Sequence, residues 1–207
     1  MGRGLDHFAQ GLAEVYSRMA RALKPGAPLS FTYHHNSLDA YYPVAVSLLD
    51  AGLTCTASIP CPAEMGGSIH INGTGSSIVD TIFVCRSTGK IPRRWIAESP
   101  RDIADLVRDD VNALRRGNVT PTVGDIRCII FGHLIRLTIW TLRQSWDRAR
   151  PTKDKLLMVA KQAQCLGGLT AIERCLGRDI LDAPKVQHMM IRESTSRYGA
   201  ESDDITF

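Results

Sequence analysis

No Cys-x-x-Cys pair occurs in this chain. Its six cysteines stand apart at positions 55, 61, 85, 128, 165 and 175, so neither a zinc knuckle nor a disulfide framework is indicated. No secretory signal precedes them, and the thiols are expected to be reduced and mostly buried in a cytoplasmic protein. The glycosylation patterns Asn72-Gly73-Thr74 and Asn118-Val119-Thr120 then have no chemistry behind them. No apolar run spans a bilayer either: Ile126 to Leu142 is interrupted by Arg127, His133 and Arg136, and reads as a buried helix. Met1-Gly2 is no myristoylation start, because Asp6 stands where Ser or Thr is needed. Phosphate-loop, H-E-x-x-H and G-x-S-x-G motifs are missing, and Gly73-Thr74-Gly75 precedes a strand instead of joining a strand to a helix, so it cannot cradle a dinucleotide or adenosyl group. No nucleophile set or metal set is indicated.

What is present suffices for a folded protein. The 207 residues are 44% hydrophobic and 22% charged, enough for one real core with room for a small second subdomain, although aromatics are scarce at 6%. A net charge of +4 with a pI near 8.8 permits an anionic partner without requiring one.

Helical spacing of Leu5, Phe8, Leu12, Val15, Met19 and Leu23 predicts a first helix that stops at Lys24-Pro25-Gly26. Alternation over Pro28 to His35 predicts a strand. Ser37 and Asp39 offer N-caps to a second helix through Leu49, closed by Ala51-Gly52. Thr54 to Ile59 reads as a strand, residues 60 to 75 as a long loop, and Ser76 to Arg86 as the strongest strand of all. With no helical pattern between them, the last two strands are expected to pair as an antiparallel hairpin at a sheet edge, while alternation of helix and strand before them implies a layered α/β sheet with right-handed crossovers wherever strands are parallel.

Beyond Arg86 helices take over. Ser99-Pro100-Arg101-Asp102 opens one that ends at Arg115-Arg116-Gly117, Thr122 to Arg148 is a long apolar one, and Lys153 to Leu176 is a third, bent at Gly167-Gly168. Residues 199 onward read as a frayed acidic tail. The expected division is residues 1–88 as a partial α/β domain and 89–207 as a helical extension.

Ligands of open α/β sheets bind outside the carboxyl ends of parallel strands, which places His34, His35 and Asn36 at that rim. Two imidazoles there can hydrogen-bond a substrate or a backbone phosphate; the plainer alternative is one satisfied core histidine and one helix cap. Glu64 in the long loop is a second candidate, able to orient a substrate amine or simply to be solvated. Lys90, Arg93 and Arg94 beside Trp95, with Arg115 and Arg116, form a candidate nucleic-acid surface in which phosphates are contacted and a base stacks, against the ordinary reading of solvated faces. No catalytic residue can be assigned.

Ala22-Leu-Lys-Pro-Gly26, Leu29-Ser-Phe-Thr-Tyr-His-His35, Ala51-Gly-Leu53, Ile59-Pro-Cys-Pro-Ala-Glu64 and Ile78-Val-Asp-Thr-Ile-Phe-Val-Cys-Arg86 together resemble the C-terminal portion of the adenine-specific DNA methylases of the DUF1156 type. The likeness covers residues 5 to 86, and more faintly Val123 to Ile139, through Gly124-Asp-Ile-Arg127 and Phe131-Gly-His133. It implies the C-terminal half of a Rossmann-like methyltransferase sheet followed by an all-helical extension, with S-adenosylmethionine as cofactor and DNA as partner. The strand ending in the two histidines then follows the one that carries the Asp-Pro-Pro-Tyr motif, and the hairpin completes the sheet. Neither that motif nor a glycine-rich cofactor loop is present in this sequence. The expected function is therefore the C-terminal part of a DNA adenine methyltransferase, a fragment inactive until it meets a complementary half. A non-catalytic nucleic-acid-binding or assembly module is the alternative, and a stand-alone enzyme using His34, His35 and Glu64 comes third.

Overall fold

The computed structural model describes residues 3–62, 79–91 and 93–181. Glu64, the Gly73-Thr74-Gly75 run and the acidic tail lie outside them.

Helix α1 (Arg3–Ala22) leads through Lys24-Pro25-Gly26 into strand β1 (Leu29–Tyr33). The buried line of α1 is not the expected one. Ala9 and Tyr16 are covered, whereas Phe8, Val15 and Met19 are 45%, 44% and 45% exposed. Spacing alone identifies an apolar stripe wider than the line of α1 that is buried.

After β1 the chain forms a 3-10 turn (Leu38–Tyr41) and then helix α2 (Tyr42–Asp50), with Pro43 in its first turn where no N–H is needed. The expected caps are absent: Ser37 precedes the 3-10 turn without a side-chain bond, and Tyr41 occupies the N-cap position of α2. Every residue from Tyr41 to Leu49 is buried, so burial holds this helix where capping does not. Gly52, at φ +72°, makes the left-handed turn into β2 (Thr54–Pro62).

Strand β2 runs three residues beyond the expected Ile59, through Pro60 and Pro62. Proline is tolerated there because β2 is an edge strand. Strand β3 (Val79–Arg86) lies in the middle of a sheet ordered β1-β3-β2, and both pairings are antiparallel. The β2–β3 hairpin expected from the sequence is present. Parallel pairing is not found among the described residues: β1 and β2 run alike, but β3 separates them. Leu29 faces Cys85 and Tyr33 faces Thr81 on one side, and Ile59 faces Ile82 on the other.

Helices α3 (Pro100–Arg116), α4 (Val123–Leu142), α5 (Thr152–Cys165), α6 (Gly168–Leu176) and α7 (Arg178–Leu181) follow, with the expected break at Gly167-Gly168. Capping boxes start α3 and α4. Ser99 Oγ accepts from the Asp102 N–H at 3.2 Å while Asp102 accepts from the Ser99 N–H at 3.1 Å. Hydrogen bonding from the Ser99 side chain and from the Glu98 and Ser99 N–H groups holds the Asp102 carboxyl below its ordinary range.

Helix α4 is the axis of the molecule. Its residues from Cys128 to Ile139 are all buried. Phe131, Ile135 and Ile139 join the apolar cluster with α1, α2 and α5, while Ile126, Ile130 and Leu134 join the cluster with α3 and α6. Each such side chain contributes about 1.5–3 kcal/mol of burial free energy. Gly132 lets α4 lie against the sheet, because a Cβ there would sit 2.9 Å from Thr81 Cγ2. Buried Asp125 ties the helix start to the strand, accepting from the Val79 N–H at 3.0 Å and from the Thr122 N–H at 2.7 Å. Among the described residues no helix is long and apolar enough to cross a membrane. All six cysteines are free. Cys55, Cys85 and Cys128 are buried, while Cys165 and Cys175 are exposed and Cys61 is intermediate, a more even division than expected.

Candidate functional site

His34, His35 and Asn36 leave the carboxyl end of β1 and are exposed. His34 Nδ1 lies 3.1 Å from the Val79 carbonyl, which makes Nδ1 the protonated nitrogen, and 3.6 Å from the Asp80 carboxylate. His35 uses its Nδ1 differently: it accepts from the Ser37 N–H at 2.9 Å, so the ring closes the turn that Ser37 was expected to cap. Tyr41 OH accepts from the His35 N–H at 3.3 Å. Both rings are thus fixed through Nδ1, one to the sheet and one to the turn.

The arginines do not form one surface. Arg93 and Arg94 stand exposed on a 3-10 turn (Arg93–Trp95), whereas Arg115 and Arg116 occupy the last turn of α3. Arg94 and Trp95 line a cavity of about 440 Å³ between β2, α3 and α4; Arg115 and Arg116 do not.

That cavity holds a polar relay the sequence reading did not assemble. Asp110 of α3, His133 and Arg136 of α4 and Ser58 of β2 all line it. Arg136, only 2% exposed, donates to the Trp95 carbonyl at 2.8 Å and approaches His133 Nδ1 at 3.3 Å. A guanidinium only donates, so Nδ1 is the acceptor and the ring proton sits on Nε2, 2.9 Å from Asp110 Oδ2. Ser58 Oγ also reaches Nδ1, at 3.3 Å. Burial pushes the His133 pKa down, against the opposing pull of the Asp110 carboxylate, and keeps the ring neutral. Burial lowers the Arg136 pKa as well.

Serine, imidazole and carboxylate in series have the connectivity of an activated nucleophile. The chemistry differs here. Arg136 competes for the nitrogen that would take the serine proton, and desolvation weakens that nitrogen as a base. The arrangement is a satisfied buried network that fastens α3, α4, β2 and the Trp95 turn together. His133 and Arg136, three residues apart within a long apolar helix, were the available signal, since buried charge demands partners. Asp110 and Ser58 carried no such signal.

Comparison with protein-family models, with curated proteins and with solved structures finds no match for this chain.

Proposed function

We propose that this chain forms the closing portion of an S-adenosylmethionine-dependent, adenine-specific DNA methyltransferase, completed by a segment that carries the Asp-Pro-Pro-Tyr motif and the cofactor loop. The observation that carries this reading is the outer side of β1. Among the described residues no strand pairs with it. The helix above it is also incompletely covered: Tyr16 of α1 stacks on Phe31 of β1 with ring centroids 5.1 Å apart, and neighbouring Val15 and Met19 are exposed. An open strand edge beside an apolar helix stripe fits a surface from which the rest of a sheet and its helices would continue.

The β2–β3 hairpin agrees with the closing end of such a sheet, and the His34-His35-Asn36 rim agrees with a ligand-facing edge. In this reading the target adenine is flipped from the duplex toward that rim, where free polar groups can orient its amine. The rim does not by itself fit the cofactor, because β1 runs through Asn36-Ser37 into a 3-10 turn without any glycine to admit an adenosyl group. The cradle belongs to the completing segment.

Expressing the chain together with a methyltransferase segment that carries the Asp-Pro-Pro-Tyr motif and the cofactor loop should yield transfer of labelled methyl groups from S-adenosylmethionine to adenine in DNA. Tight calorimetric binding of S-adenosylmethionine by the isolated chain would overturn the reading of an incomplete site.

Exposed Arg94 and Trp95 at the cavity mouth favour a second reading, a nucleic-acid-binding or assembly module. Under it, replacing Arg93, Arg94, Arg115 and Arg116 with Ala weakens DNA binding and flattens its salt dependence. An unchanged gel-shift titration would remove it.

A further inference from the structure

At the opposite end of the sheet from His34 and His35, where β2 begins and β3 ends, lies a second cavity of about 450 Å³. Its size is that of a small-ligand site. Thr54, Thr56, Ser87 and Thr88 line it, as do Trp140, Trp146, Arg143 and Arg148, although the Thr56 hydroxyl already donates to the Val84 carbonyl at 3.0 Å. None of the described residues lining it is acidic.

The charge of this basin is uncompensated for identifiable reasons. Asp50, at the end of α2, is already engaged by the Lys155 ammonium at 2.8 Å and by the Trp146 indole N–H at 2.9 Å. Neither Arg143 nor Arg148 has an ion-pair partner among the described residues. Arg143 is held in place: its guanidinium lies 3.3 Å over the Trp140 ring and donates to the Trp140 carbonyl. Arg148 is exposed and lies close against Gly52, its Nη2 2.5 Å from where a Cβ on that glycine would sit. Arg86 adds a further cation at the margin, donating to Thr56 Oγ1 at 2.7 Å.

Two guanidiniums with no carboxylate partner among the described residues, hydroxyl-bearing Thr54, Ser87 and Thr88, and two tryptophans in one concave site match a group that combines an anion with a flat ring. We propose that this basin binds a nucleoside phosphate, with Arg143 and Arg148 on the phosphate and the base against the indole side. The phosphate can belong to a free nucleotide or to a nucleic-acid strand, and the chemistry of recognition is the same. The site is separate from the rim invoked for methyl transfer.

Titration of the isolated full chain, followed by tryptophan fluorescence and thermal melting, tests this with adenosine monophosphate, adenosine, inorganic phosphate and a short oligothymidylate. The monophosphate should bind with a Kd in the millimolar range or tighter, with adenosine and inorganic phosphate each weaker. Arg148→Gln should weaken binding about tenfold. Thr88→Glu, on an exposed side chain, places a carboxylate in the basin and should do the same while melting like the parent. Tighter binding of the oligonucleotide assigns the phosphate to a strand, and tighter binding of the monophosphate assigns it to a free nucleotide. No response to any probe, equal affinity for adenosine and its monophosphate, or parental affinity in both variants would overturn the proposal. Because these measurements involve no methyl transfer, failure of the methyltransferase reading leaves them untouched.

Discussion

Among the described residues strands β1 and β2 are the two edges of the sheet, yet only β2 carries the features that stop an edge from recruiting another chain. Its register is broken by a bulge between Cys55 and Ala57, and Pro60 and Pro62 remove N–H donors. Its Ser58 is tied to His133 of α4. Strand β1, Leu29-Ser30-Phe31-Thr32-Tyr33, has no proline and no charge, and its register with β3 runs without a shift. Strand β2 is thus guarded against recruiting a further strand and β1 is not, and this asymmetry is what the proposed methyltransferase reading rests on.

Breaking the β2 side should cost the most. Arg136→Ala leaves a cavity and strips a donor from the Trp95 carbonyl and from His133, and about 3 kcal/mol should be lost in urea unfolding. Gly132→Ala pushes α4 off the sheet at Thr81, for about 2 kcal/mol, and Thr81→Ser, which removes the clashing methyl, should recover part of it.

The His133 relay gives a smaller, pH-dependent effect. Because burial holds its pKa below the ordinary 6.5, the unfolded chain takes up a proton near that pH which the folded chain refuses. Stability therefore falls as pH drops below about 6.5, and His133→Gln should show a shallower fall in melting temperature over that interval. A parallel decline in both proteins would place the titration elsewhere.

The smallest stability change is expected on the β1 side. Lysines in place of exposed Ser30 and Thr32 should alter the unfolding free energy of the isolated chain by less than about 0.5 kcal/mol. Copurification with the completing segment should nevertheless be lost. If the double variant still copurifies, the edge is not the junction.

Much of the frame was legible from local pattern. The Ser99-Pro100-Arg101-Asp102 signature marked α3 to the residue, and alternation marked β1. The β2–β3 hairpin was legible too, but the place of β1 was not: nothing in a period-two pattern says that β1 meets β3 and leaves β2 on the far side. Prolines ended β2 too early on paper, because their cost depends on whether an edge faces solvent or another strand. The rim histidines could be placed from strand direction alone. The relay could not, since Ser58, Asp110 and Arg136 come together only through the packing of α3 and α4 on the sheet. In the sequence Arg136 shows only as a charge that interrupts an apolar run. The basin at the other end of the sheet was equally hidden, its arginines following a helix end and its hydroxyls flanking two strands.

Amide hydrogen exchange along Leu29 to Tyr33 tests the central claim most directly. In an antiparallel edge strand alternate N–H groups point away from the partner. Those amides should exchange quickly in the isolated chain and become protected once the completing segment is bound. Protection already present in the isolated monomer, or none gained in the complex, would contradict it.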